Sequence, residues 1–440
     1  MGIALAVAAI AATWAVPATA QRSRTVLVTP EAGESHEKAL YRYALDPDLE
    51  GKVLKLEARR YLLSSADGTS AVTSLLNQGK VLHPNARAMA EKGYVHLINR
   101  SLCGANVMRD ADGHPLGNGP GMPASVDPVT ETVIDGSDLV PELEPVTPAE
   151  GLGHSPVMRL LPYFRATGVT TIERVTFRNR SPPDPAGPVL DGSSVLITRC
   201  KIDSSNYGIL AVNRGAEGVG SQFDIEISEN IILGGASPGL IVGNFITSNA
   251  SVSATISRNH VEGFLRNHLI VWNNGSLECT VHAITAGNRF VGERADGSKT
   301  LFGIVVANTR IENALKSGNW VDLISIDDDI VGHEMGIGLF GADNEPAPTD
   351  DNTAMATLVG TRFRDNDVTI MALGSNVPGS ANRVRLLVRQ VRDESGGDVA
   401  LDHGLGAVEV VGSSSAWQAS NPGLALPALE FFNGDGVETP

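Results

Sequence analysis

Between residues 172 and 374 apolar and polar positions return in a fixed order. A six-residue unit opens and closes on an apolar side chain and often carries Asn in fourth place. It occurs as Ile172-Glu-Arg-Val-Thr-Phe177, Ile197-Thr-Arg-Cys-Lys-Ile202, Ile227-Ser-Glu-Asn-Ile-Ile232 and Ile256-Ser-Arg-Asn-His-Val261. With a polar first residue it continues as Thr285-Ala-Gly-Asn-Arg-Phe290 and Ser325-Ile-Asp-Asp-Asp-Ile330, and more loosely as Leu358-Val-Gly-Thr-Arg-Phe363. The closing residues, Phe177, Ile202, Ile232, Val261, Phe290, Ile330 and Phe363, stand 25, 30, 29, 29, 40 and 33 positions apart. A period of this length marks stacked units rather than a series of ordinary domains.

Each unit holds at least two strands. Before several motifs the chain alternates strictly, as in Phe223-Asp-Ile225-Glu-Ile227, Val252-Ser-Ala254-Thr-Ile256 and Leu277-Glu-Cys279-Thr-Val281. That pattern predicts a strand with one buried and one wet face. A second short strand follows the motif, often opened by glycine, over residues 208–213, 239–244, 268–273, 303–308, 336–341 and 369–374. Such strands close their backbone hydrogen bonds by stacking coil on coil, about 4.8 Å apart. Equivalent residues then form columns. Asn230, Asn259 and Asn288 fall in one, with Cys200 before and Asp328 after; Asn213, Asn244, Asn273 and Asn308 fall in another. An amide donates and accepts at once, so these columns read as structural ladders that satisfy buried turn groups.

On these motifs the chain resembles the right-handed parallel β-helix superfamily, which includes pectate lyases and polygalacturonases. The resemblance implies an all-β fold, a right-handed parallel β-helix solenoid with a short N-terminal capping helix. His36-Glu-Lys-Ala-Leu-Tyr-Arg-Tyr-Ala-Leu45 looks like that helix, residues 51–63 like the strands after it, and Thr132-Val-Ile-Asp-Gly136 like an early coil. The likeness extends over roughly residues 31 to 410 and specifies fold far better than activity.

The remaining organisation is read around that core. Residues 1–20 carry no charge, run apolar from Ile3 to Val16 and end in Ala18-Thr19-Ala20. They read as a signal peptide, so a secreted or periplasmic protein is expected, although Met1-Gly2-Ile3 offers no basic residue. Residues 21–410 form one β-helix domain with loop insertions at about 66–130, 293–299, 309–320 and 343–352. The first insertion is expected as long loops with a helical piece near Ala86 to Lys92. Residues 411–440 are expected as a cap or tail, since solenoid ends need cover. No later stretch is long and apolar enough for a membrane helix, so no membrane insertion is expected. With 47 glycines, 24 prolines and 5% aromatics, the composition suits short strands and tight turns. Cys103, Cys200 and Cys279 cannot all pair and fit no zinc spacing, which leaves stability to stacking. The formal charge of -16, with no basic stretch visible along the chain, argues against a nucleic-acid partner.

The second strand has an unusual outward face. If Ile209, Leu240, Leu269, Ile304, Ile337 and Ile370 point inward, the outward positions are Leu210, Ile241, Ile270, Val305, Gly338 and Met371, then Val212, Gly243, Trp272, Ala307, Phe340 and Leu373. None is polar. A sheet apolar on both faces is covered on both, here by upstream loops, by the tail, or by a second subunit through an oligomer contact.

Candidate chemistry is of two kinds. Asp327-Asp328-Asp329 with His333 resembles the grouped aspartates of β-helix hydrolases, but Asp328 occupies the ladder column and the spacing to His333 departs from the polygalacturonase pattern. The triplet is therefore read as structural. The second kind comes from alignment of columns: Arg266, Glu334 and Asp367 share a position, His333 and Asn366 the one before, and His268 stands beside Arg266. Arg266, His268, His333, Glu334 and Asp367 are the candidate catalytic set, with a carboxylate or imidazole as acid or base and Arg266 holding an anionic group. Ordinary polar turn decoration is the alternative. No cofactor is evident; calcium is the ion that the resemblance leaves open, and the acidic loop at 343–352 lacks a regular ligand spacing for it.

These readings lead to an exported β-helix protein whose partner is a polysaccharide. It is expected either as a carbohydrate-active enzyme of the lyase or glycoside hydrolase type, or as a noncatalytic cell-surface scaffold. A neutral glycan suits the acidic body better than a polyuronate, unless calcium bridges the two.

Overall fold

The turn between the first strand and the short segment after it is built the same way on every rung. One residue takes a left-handed backbone: Arg174 (φ 57°), Arg199 (52°), Glu229 (57°), Arg258 (54°), Gly287 (61°), Asp327 (53°), Gly360 (66°) and Gln390 (56°). On the rungs from Arg199 to Gly360 the next residue, Cys200, Asn230, Asn259, Asn288, Asp328 or Thr361, turns a polar side chain into the stack and hydrogen-bonds a neighbouring coil. Side chains rarely take that backbone, at a cost of about 1–2 kcal/mol each, and the bonds made by the residue that follows offset it.

The computed structural model describes residues 25–117, 119–150, 152, 155–160, 162–179, 189–204, 206–236, 238–294, 296–309, 318–341, 351–375, 382–394, 398–404, 407–411, 421, 431–432 and 437–438. The expected signal peptide and most of the acidic loop at 343–352 fall outside these residues. The fold is a parallel β-helix. Its first wall is formed by Gln222–Ser228, Ser251–Ser257, Thr280–Ala286, Trp320–Ile326, Thr353–Val359 and Arg383–Arg389, each pairing in parallel with the next. Another wall is formed by Ile209–Arg214, Leu240–Phe245, Asn267–Asn274, Thr300–Thr309, His333–Phe340 and Val368–Ser375. Between them runs a third wall of short parallel strands such as Lys201–Ser204, Ile231–Leu233, His260–Glu262, Arg289–Val291, Asp329–Val331 and Arg362–Arg364. The residues that close the sequence motif are central to this wall, and all are 0% exposed from Phe177 to Phe363.

The predicted ladders are present as unbroken chains of hydrogen bonds. Cys200 N donates to Asn230 Oδ1 (2.8 Å), Asn230 N to Asn259 Oδ1 (3.0 Å), Asn259 N to Asn288 Oδ1 (2.9 Å) and Asn288 N to Asp328 Oδ1 (2.8 Å). Each Asn also donates from Nδ2 to a strand carbonyl of the preceding coil, as Asn259 does to Ile227 O (2.8 Å). At the end of the second strand, Asn213, Asn244, Asn273 and Asn308 link Nδ2 to Oδ1 at 3.1, 2.8 and 3.1 Å. A third ladder runs through Cys279, Asn319, Asn352 and Asn382, with backbone N–H groups donating to Oδ1 at 3.0, 3.1 and 3.0 Å. The first ladder reaches past residue 410, since Val391 N donates to Asn421 Oδ1 (3.0 Å).

The N-terminal end is closed by helices. Helix α1, His36–Leu45, is capped by Ser35 Oγ on Lys38 N and buries Ala39, Leu40, Tyr41, Ala44 and Leu45. Two more helices lie in the first insertion: α3, Pro84–Glu91, is the helical piece expected near Ala86 to Lys92, whereas α2, Ser65–Asn77, stands largely where loops were expected. They touch closely, for a Cβ on Gly68 would stand 1.8 Å from Ala90 O. The same stretch then contributes the coil strands Val95–Ile98 and Ser101–Cys103. All three cysteines are free. Burial pushes the thiols of Cys103 and Cys200 up to about 12 and that of Cys279 up to about 11, so they act as small apolar fillers.

The apolar outer face of the second strand is largely buried within one chain. Val212, Ile241, Ile270, Val305 and Ala307 cluster there, with Tyr207, Leu210, Trp272, Phe302 and Phe340 half-buried against them. The glycines of this face seat rings: a Cβ on Gly338 would lie 2.6 Å from Phe302 Cε1 and 2.7 Å from Phe340 Cε2. Beyond it, the hairpin of Leu143–Val146 and Val157–Leu160 packs Val146, Ala149 and Leu152 on Phe245 and Ile246.

Replacing Asn259 by Ala leaves Asn230 N–H and the Ile227 carbonyl unpaired in a fully buried site. An unsatisfied buried group costs about 1–3 kcal/mol, so urea unfolding should show a loss of about 3 kcal/mol. Thr255→Ala, on the wet side of the strand Ser251–Ser257 that leads into this turn, should stay within about 0.5 kcal/mol.

Candidate functional site

The chain leaves the third wall and enters the second through a polar turn, and the candidate residues gather there. Asn267, Phe302, Met335 and Val368 are paired in register, so the residues just before them, Arg266, Leu301, Glu334 and Asp367, form one column. Arg266, Glu334 and Asp367 are all exposed. Glu334 and Asp367 stand on adjacent rungs, about 4.8 Å apart in backbone spacing. Asp367 Oδ1 pairs with Lys299 Nζ at 2.5 Å, and Nζ also donates to Asp365 O at 2.8 Å. Lys299 comes from the insertion at 293–299, and nothing in its sequence spacing points to this role. Arg266 and Glu334 make no ion pair among the described residues.

The two histidines are placed differently. His268 and His333 are both 0% exposed and reach no surface, so they cannot touch a bound substrate; this corrects their reading as acid or base. His268 Nδ1 lies 2.7 Å from His333 Nε2, and His333 Nδ1 lies 3.2 Å from Asn366 Oδ1. Asn366 Nδ2 donates to Ile330 O (2.9 Å), which fixes Oδ1 as the acceptor toward His333. His333 Nδ1 therefore carries the proton, Nε2 accepts from His268 Nδ1–H, and His268 Nε2 is left as a bare lone pair in the core. Phe264 meets the His268 ring edge-on at 6.1 Å and Phe290 stacks on it at 6.4 Å. Burial holds His333 down at about 3 and His268 well below the ordinary imidazole value, so both are neutral. Two glycines make the room: a Cβ on Gly292, just after the third-wall strand Arg289–Val291, would lie 2.6 Å from His333 Cδ2, and one on Gly303, in the second wall, would lie 3.4 Å from its Cε1.

Asp328 is a ladder member, as its column implied. Oδ1 accepts from Asn288 N and Nδ2 at 2.8 and 2.9 Å, and Oδ2 accepts from the hydroxyls of Thr285 (2.5 Å) and Ser325 (2.7 Å). Those hydroxyls explain why the repeat opens on Thr285 and Ser325 where other coils carry Ile or Leu. A carboxylate in place of an amide has lost its own donor, and two inward hydroxyls pair the oxygen that would otherwise be bare. Burial nevertheless raises the Asp328 carboxyl.

Among the described residues one group of three could offer ligand atoms to a metal: Asp110, Asp112 and His114, within 4.8 Å of one another. Asp112 and His114 are exposed, and Asp110 Oδ1 already accepts from the backbone N–H of both at 3.0 and 2.8 Å. The group belongs to a hairpin turn far along the chain from the carboxylate column.

No family model and no curated protein matches the chain. Among solved structures it is similar to the catalytic unit of a thermostable GH87 alpha-1,3-glucanase from Streptomyces thermodiastaticus strain HF3-3, with TM-score 0.32 and 12% identity over 94% of this chain and 71% of that one. At that level the likeness carries nothing about activity, and the strand register alone fixes the architecture.

The buried imidazoles make acid destabilising. Their folded values lie below the unfolded value of 6.5, so the unfolded chain binds more protons between about 6.5 and 3. Stability is full above pH 6.5 and falls as pH drops, by about 1.4 kcal/mol per pH unit for each imidazole. Urea midpoints between pH 7 and 4.5 should fall less steeply in His268→Phe than in the wild type; equal slopes would contradict the assignment.

Proposed function

We propose that this is an exported β-helix protein that hydrolyses a polysaccharide at the Glu334–Asp367 column. The observation that carries the reading is the register that sets these two exposed carboxylates on adjacent rungs. In glycoside hydrolysis one carboxylic acid protonates the leaving oxygen and the other carboxylate acts as nucleophile or base, at about 5 Å when configuration is retained. Asp367, held by Lys299, takes the part of the carboxylate, and Glu334, without a cation partner, the part of the acid. Arg266 stands on the same column, two coils from Glu334, to bind an oxygen-rich or anionic group of the chain. Phe302 follows Leu301 of this column and is half-buried on the aromatic face with Trp272 and Phe340, a surface suited to sugar rings.

One observation favours a second reading, a noncatalytic scaffold. His268, His333 and Asp328, the residues most like catalytic groups by type, are all 0% exposed and bonded inside the stack.

A reducing-end assay on neutral polysaccharides, with ultraviolet absorbance to detect unsaturated lyase products, separates the two. The hydrolase reading expects reducing ends without ultraviolet-absorbing products. Glu334→Gln and Asp367→Asn should each lower the rate at least about 100-fold, with thermal midpoints unchanged. No product from the wild type on any polysaccharide would favour the scaffold reading instead, and full activity in both variants would overturn the assignment of the site to the Glu334–Asp367 column.

A further inference from the structure

The outer face of the first wall brings together three side chains that lie on three different coils. Ser253 pairs in register with His282, and His282 with Asp322, so a hydroxyl, an imidazole and a carboxylate stand on successive rungs about 4.8 Å apart. His282 Nδ1 lies 2.6 Å from Asp322 Oδ1. The carboxylate is the sheltered member, its side chain 18% exposed, and the imidazole is the accessible one, at 58%. An ionised Asp322 accepts from Nδ1–H, which leaves the lone pair of the neutral ring on Nε2. Nε2 makes no hydrogen bond among the described residues, and neither does the hydroxyl of Ser253, which is exposed.

An imidazole fixed by a carboxylate through Nδ1, with Nε2 open beside a serine, is the arrangement that turns a hydroxyl into a nucleophile. The free hydroxyl of Ser253 can turn toward Nε2, and such bonds tighten when substrate is bound. The surroundings suit an ester. Ser251 and Thr255 flank Ser253 on the same face of its strand and offer hydroxyl donors to a developing oxyanion. Ile284 stands two places after His282, and Trp320 and Ile324 stand two places on either side of Asp322, all half-buried on this face. They give an acyl chain an apolar margin. The four strands Gln222–Ser228, Ser251–Ser257, Thr280–Ala286 and Trp320–Ile326 carry Asp224, Glu226 and Asp322 but no lysine or arginine, so an anionic substrate is repelled.

We propose that Ser253, His282 and Asp322 form an esterase site for uncharged esters of carboxylic acids with an apolar acyl group. Ser253 Oγ attacks the carbonyl carbon and gives its proton to His282 Nε2. The bond from that carbon to the alkoxy oxygen then breaks, and the alcohol leaves with the proton from Nε2. Water attacks the acyl carbon in turn, passes a proton to Nε2, and the carboxylic acid departs as Oγ recovers that proton. Asp322 holds the ring in place and offsets the charge of the imidazolium. The site lies on the first wall, apart from the turn that carries Glu334 and Asp367, and does not rest on the hydrolysis of a polysaccharide.

Two readouts on the purified protein test it: release of 4-nitrophenolate from 4-nitrophenyl butyrate, and covalent labelling by a fluorophosphonate, mapped by peptide mass spectrometry. The wild type should hydrolyse the ester and carry the label on Ser253. Ser253→Ala, His282→Gln and Asp322→Asn should each lower the rate at least about 100-fold and abolish labelling, with thermal midpoints unchanged. Ser70→Ala, on the exposed side of helix α2, should match the wild type in both. The anionic ester 4-nitrophenyl succinate should react at least about ten-fold more slowly than the butyrate, and equal rates would overturn the assignment of an uncharged substrate. A wild type that neither hydrolyses the ester nor labels at Ser253 would overturn the proposal. So would hydrolysis that survives Ser253→Ala and is lost only in His282→Gln, since the imidazole would then act alone.

Discussion

A buried amide keeps its hydrogen bonds here only if a matching group lies one rung above or below it. Asn259 accepts from Asn230 and donates to Asn288 and to the Ile227 carbonyl, and all of these are removed from water. An unpaired amide at this place would cost about 1–3 kcal/mol, so a slip of one residue in any coil is penalised at once. Three such ladders, one at the corner that leaves the first wall and two flanking the corner that returns to it, hold the walls in vertical register. The inward isoleucines, valines and phenylalanines can then pack without staples from the free cysteines.

The ladders could be read from sequence because regular coils of about thirty residues keep them in step. Where insertions disturb the spacing the signal fades, and the column of Cys279, Asn319, Asn352 and Asn382 emerges only from the structure. The third wall was hidden for another reason: its strands are three or four residues long, too short for alternation to show. Helix α2 was missed although Ser64 and Asp67 form an N-terminal capping pair, because its Ser, Thr and Gly content reads as loop. Asn421, within the stretch expected as a cap or tail, supplies a further rung.

The candidate site was legible in part. Column counting placed Arg266, Glu334 and Asp367 together on an exposed turn, and register confirms that column. It could not tell which way His268 and His333 point. Their neighbours in the stack are glycines, and that absence of side chains, visible in the sequence, is what lets two imidazoles turn inward and pair. Lys299 was invisible for a different reason: its pairing with Asp367 depends on which charges meet in space, and that does not follow from charge counted along the chain. The same logic of rungs therefore accounts for the stability of the core and for the exposed column in which Glu334 and Asp367 stand on adjacent rungs.

Native-state hydrogen exchange of the ladder backbone amides tests the central claim most directly. If stacked side-chain amides hold the coils in register, the N–H groups of Cys200, Asn230, Asn259 and Asn288, which lie in turns, should exchange only through global unfolding, as slowly as the strand amides beside them. Exchange of these four at the rate of ordinary turn amides, while the strands stay protected, would contradict the account.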